Sequence, residues 1–89
     1  MFLLEFDTIF FKEGATIVAY CPELDISSCG NDMEQARTNL KTAVRLFVEE
    51  AQKMGTLEEI LEESGFTQTS ESSWLPPRLV ATEIMSLAA

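Results

Sequence analysis

The sequence predicts an α+β domain: an antiparallel β-meander followed by a long helix, a short helix and a C-terminal strand. Three observations lead there. The first twelve residues alternate with period two, a capping signal at Asp32 opens a stretch of apolar residues three and four apart, and an apolar, β-branched segment lies past residue 78. At 89 residues the chain is read as a single domain spanning 1–89, because a typical domain takes roughly 100 to 200 residues. A chain of this size buries only about 60 to 65% of its unfolded surface, so self-association or a partner would help it.

In the first segment Phe2, Leu4, Phe6, Thr8 and Phe10 point one way, and Leu3, Glu5, Asp7, Ile9 and Phe11 the other. Lys12-Glu13-Gly14 is expected to turn the chain, with Gly14 supplying a positive φ, and Ala15 to Cys21 to return as a second strand. Pro22 has no N–H for a ladder, so this strand should stop there. After the Glu23-Leu24-Asp25 loop, a third strand is expected over Ile26 to Gly30.

Asp32 followed three residues later by Gln35 is a capping-box pattern, so a helix should begin at Met33. Met33, Ala36, Leu40, Ala43, Val44, Phe47, Ala51 and Met54 fall on one stripe that must lie on the sheet. Gly55 is placed to end this helix, and Thr56 with Glu59 suggests a second capping box for a short helix from Leu57 to Ser64, closed by Gly65. Residues 67–73 read as a polar loop, Pro76-Pro77 as a block, and Leu79 to Leu87 as a strand that joins the sheet.

Charge narrows the function. Six Lys and Arg against fifteen Asp and Glu, with no His, give a net charge of −9. Phosphate backbones and anionic membrane surfaces are repelled by such a chain, so no direct nucleic-acid or membrane binding is expected. No apolar run approaches the length of about 20 residues that spans a bilayer. Met1-Phe-Leu-Leu runs straight into Glu5 and Asp7 rather than into a basic, then apolar, leader, so the cytoplasm is the expected location. Two thiols, Cys21 and Cys29, are too few for a disulfide scaffold and are expected to be reduced.

Nothing points to catalysis. The usual base near neutral pH is missing with His, and no nucleophile has a visible partner, so the chain is expected not to be an enzyme and to carry no cofactor. Asp7, Glu23 and Asp25 are the carboxylates nearest strands or turns that could hold a divalent ion, but no spacing motif supports a metal. Arg37, Lys41 and Arg45 form an i, i+4, i+8 row that reads as a solvated helix flank rather than an RNA stripe. Acid is denser: Glu49, Glu50, Glu58, Glu59, Glu62 and Glu63 outnumber Lys53 between residues 49 and 63. Such a field steers a basic partner.

The run from Tyr20 to Gly30 (YCPELDISSCG), followed by Glu34-Gln35-Ala36, Asn39-Leu40, Ala43 and Leu46 to Glu50, resembles the signature of the HicB antitoxin family. The resemblance implies a degenerate ribonuclease-H-like core without catalytic power, which binds and masks a small basic mRNA-cleaving toxin of the HicA type. Family members usually carry a further DNA-reading domain that needs about 40 residues. The 24 residues after Gly65 read instead as loop and strand, so a single-domain form is expected.

The residues expected to meet the partner are Tyr20, Glu23, Leu24 and Asp25, at the end of the hairpin, and Glu58, Glu59, Glu62 and Glu63 on the short helix. The alternative is an orphan regulatory module whose main contact is with itself. A homodimer or higher homo-oligomer is expected either way, because both faces of the first strand carry apolar side chains and one helix covers only one face.

Overall fold

The second strand of the expected meander sets the frame, because it is flanked on both sides. In the computed structural model, which describes residues 2–89, β1 is Leu3–Leu4, β2 Ile9–Glu13, β3 Thr16–Cys21 and β4 Ile26–Gly30. These are followed by α1 (Met33–Met54), α2 (Leu57–Glu63), β5 (Thr67–Ser70) and β6 (Ser73–Leu75). The class is α+β, with six strands in two sheets. One sheet is the antiparallel meander β2-β3-β4, and the other has the order β1-β6-β5, with β1 and β6 parallel.

The meander follows local rules. Glu13 pairs with Thr16 across a two-residue turn, Gly14-Ala15, in which Gly14 has φ 61° and Ala15 stays negative, as a type II′ hairpin requires. β3 and β4 pair from Ile17↔Gly30 to Cys21↔Ile26. α1 crosses this sheet. The Asp32 carboxylate accepts from the Gln35 backbone N–H at 2.7 Å, while the Gln35 side chain accepts from the Asn31 N–H at 2.6 Å. The helix sits so close to β4 that a Cβ at Gly30 would lie 2.6 Å from the Ala36 backbone nitrogen. The Asn39 amide then donates to the Cys29 carbonyl at 2.8 Å, which engages the outer side of β4.

Both helices close on a Schellman motif. Gly55 (φ 72°) donates to the Gln52 carbonyl and Thr56 to that of Ala51; Gly65 (φ 89°) donates to Glu62 and Phe66 to Leu61. The core gathers Ala19 and Cys21 from β3, Ala36, Leu40, Val44, Val48 and Ala51 from α1, Leu57 and Leu61 from α2, then Phe66 and Trp74. Each large apolar side chain so buried contributes about 1.5 to 3 kcal/mol.

Five expectations are corrected. The first segment is two strands rather than one: β3 ends at Cys21, so its ladder reaches back only to Ile9, and Leu3 and Leu4 pair instead with Ser73 and Trp74. Residues 67–73 hold the β5–β6 hairpin, whose exposed Thr and Ser residues hide its pairing from a composition reading. Leu79 to Leu87 is not a strand, since β6 already occupies the place beside β1 and Pro76-Pro77 ends the ladder. Thr56 makes no capping bond to α2; its N–H and hydroxyl both donate to the Ala51 carbonyl, so its groups are taken up in closing α1. On α1 the buried row runs through Val48, whereas Met33 and Met54 are exposed. No helix among the described residues is long and apolar enough to cross a membrane.

Candidate partner-binding surface

The turn at the end of β3 is built by its own side chains. Pro22 ends the strand, Asp25 takes φ 54°, a left-handed conformation that Asp tolerates better than most residues, and the Tyr20 hydroxyl donates to Asp25 Oδ1 at 2.9 Å. That bond to a carboxylate raises the Tyr20 pKa above its ordinary value. Cys21 is buried under the turn, and burial pushes its thiol up to about 11, so it stays protonated and unreactive. Its Sγ lies 3.5 Å from Glu23 Oε1. Leu24 packs inward on the core and is half-buried, so the turn offers a partner Asp25 and part of Tyr20 more than the leucine.

α2 divides into two faces. Leu57 and Leu61 are buried and Ile60 packs against the core, while Glu58, Glu59, Glu62 and Glu63 are exposed on the opposite face. The arrangement does not serve the helix. Glu58 and Glu59 suit the positive N-terminal end, but Glu62 and Glu63 face the negative C-terminal end, and the pairs Glu58/Glu62 and Glu59/Glu63 each repel by about 0.2 to 0.5 kcal/mol. Between the turn and the end of α2 lies a cleft lined by Asp7, Pro22, Glu23, Ser64, Pro77 and Arg78. Glu23 and Ser64, the residue that caps α2, therefore share one cleft, which the four glutamates do not line.

The Asp7 and Glu23 pairing was not legible beforehand. Partial burial raises the Glu23 pKa first, and a hydrogen bond with Asp7, whose charge lies beside it, raises it further. Asp25 does not join them, being bonded to Tyr20, and no group of three or more metal-ligating side chains occurs among the described residues. The cationic flank of α1 is also used differently from a plain solvated face: the Arg37 guanidinium lies 5.3 Å from the centre of the Phe10 ring. Lys41 and Arg45 edge an apolar groove lined by Phe2, Leu4, Phe6 and Val44.

A pH dependence follows from Glu23. Its folded pKa lies above its unfolded value of about 4.3, so its contribution is complete below that pH and is lost as pH rises through the raised folded value. Glu23→Gln keeps a donor toward Asp7 and removes the ionisation. The variant is expected to melt higher than the parent at pH 7, with the advantage shrinking to nothing as the pH falls toward 4. Thermal melts across that range check this, and a variant less stable than the parent at pH 7 would contradict it.

No family model, curated protein or solved structure matches the chain.

Proposed function

We propose that the chain is a non-enzymatic antitoxin of the HicB type that binds a small, basic, mRNA-cleaving toxin of the HicA type and masks its RNA-holding surface. The observation that carries the proposal is the exposed four-carboxylate face of α2, whose Glu62 and Glu63 run against the helix dipole and which ends at Ser64, a residue that shares a cleft with Glu23 of the turn. A basic surface shaped to take RNA phosphates has the charge to dock there. The turn, braced by the Tyr20–Asp25 bond, supplies the fixed shape that a partner reads, and α2 supplies the field that brings it in. On this reading the protein works in the cytoplasm with reduced thiols, needs no cofactor or metal, and does not contact nucleic acid itself.

The test is inhibition. A small basic ribonuclease encoded beside this chain should lose its cleavage of mRNA when the two are mixed at equal concentration, and should recover it in high salt as the complex weakens. Full ribonuclease activity in the presence of excess chain would refute the reading.

A second reading, an orphan module that mainly contacts itself, is favoured by a different observation. Leu3 and Phe11 are half-exposed and several apolar residues past Pro77 are almost fully so.

A further inference from the structure

Residues 76–89 form an arm that pairs with no strand of its own protomer. Its root is fixed, since Pro77 sits against Gly65, where a Cβ would meet the ring at 2.9 Å. Beyond that point no backbone hydrogen bond among the described residues engages it. Val80 is 90% and Ile84 97% exposed, and Leu79, Met85 and Leu87 are exposed as well. The projection enlarges the molecule: its radius of gyration is 14.8 Å, against about 12 Å for a compact domain of this length.

The sheet has a matching vacancy. In the order β2-β3-β4, the outer side of β4 is engaged by Asn39 and packed under α1, whereas β2 has a strand partner only on its β3 side. Phe11 on β2 is 51% exposed, and Ile9 is half-buried. The arm passes this edge in its own protomer, since Thr82, Glu83 and Ile84 line a groove with Ile9, Phe10 and Phe11, yet it does not pair with it. An unpaired edge beside an unpaired apolar segment is a template for strand addition.

We propose that two copies exchange these arms, Leu79–Leu87 of each pairing along Ile9–Glu13 of the other to close a two-fold dimer. Charge selects a second copy as the occupant. The chain carries −9, so two copies repel over most of their surfaces, but the arm holds one Arg (Arg78) and one Glu (Glu83) and is neutral. β2 carries Lys12 and Glu13 and is neutral too. A basic partner would gain little from this seam, whereas two acidic copies bring to it only Glu83 and Glu13, with Lys12 and the adjoining Arg78 to offset them. Extent agrees: five exposed apolar side chains on each of two arms bury on the order of 100 Å² apiece. With the β2 surface they cover, the total reaches the range of about 1,200 to 2,000 Å² typical of a stable interface. The proposal specifies how self-association occurs and does not depend on the toxin reading.

Sedimentation of the full chain at micromolar concentration should give twice the 9.9 kDa protomer, and the dimer should tighten as salt screens the remaining repulsion. Val80→Asp with Ile84→Asp changes only exposed side chains and should weaken the dimer at least tenfold without altering the circular dichroism of the protomer. Leu46→Asp, at a 59% exposed position on α1, should leave the dimer intact. Hydrogen exchange should show protection in both 79–87 and 9–13 that grows with protein concentration. A monomeric parent chain, a dimer indifferent to the arm substitutions, or equal loss with Leu46→Asp would overturn the proposal. So would protection confined to the arm, or protection independent of concentration, which means that the arm closes on its own edge.

Discussion

Trp74→Ala is expected to lower the melting temperature by about 12 °C or more, the largest effect of any single substitution considered. Trp74 is 2% exposed, and through β6 it joins the β1-β6-β5 sheet to the core that the meander and both helices share. Emptying such a site costs about 3 to 5 kcal/mol, and in a domain of this size each kcal/mol is worth about 4 to 8 °C. The whole stability of such a chain is on the order of 4 to 13 kcal/mol, so the variant is left near the edge of folding. Trp74→Phe, which keeps an aromatic ring in the site, should lose much less. Circular dichroism follows both melts without needing the indole. A fall below about 5 °C for Trp74→Ala would show that the second sheet lies outside the cooperative core.

On the proposed antitoxin reading, changing Glu58, Glu59, Glu62 and Glu63 together to Gln should slow association with a basic ribonuclease by roughly tenfold at low salt and flatten the dependence of that rate on ionic strength. Dissociation should change by less than about twofold, because exposed charges act mainly on encounter. The four side chains are exposed, and their removal relieves two like-charge pairs, so α2 should fold at least as well as before. Substitution of Asp25, which is held by the Tyr20 hydroxyl, should instead speed dissociation. Stopped-flow mixing separates the two rates. Equal association rates for the parent and the four-Gln variant would remove α2 from the proposed docking surface.

The parts of this fold that could be read from residue order are those whose partners are near in sequence. α1 runs over Met33–Met54 as expected, since Asp32, Gln35 and Gly55 mark its ends within a turn of where they act. β4 matches for the same reason, being joined to β3 by a four-residue turn. The pairing of Leu3 with Ser73 was not legible, because neither residue carries a mark of a partner some seventy positions away. Without it, the polar stretch 67–73 read as loop and the apolar stretch 79–87 as strand, and both readings failed. The short helix and its acidic run were legible from Gly55, Gly65 and the glutamates between them, whereas the burial of Leu57 and Leu61 appears only once α2 is placed on the core. That Leu24 turns inward, and that Asp7 lies against Glu23, required the two sheets to be placed first.

That distant pairing also orders events in time. The meander and α1 close through short loops, each ladder reaching only to the next strand, so they are assembled at small entropic cost. The parallel contact of Leu3–Leu4 with Ser73–Trp74 needs nearly the whole chain, and contacts of such separation form slowly. During synthesis, residues 9–54 have emerged and can fold while Leu3 and Leu4 still lack the strand that will cover them. The N-terminal apolar segment therefore waits, unpaired, for residues made some seventy steps later, which is the interval in which a nascent chain of this protein most needs shelter from aggregation.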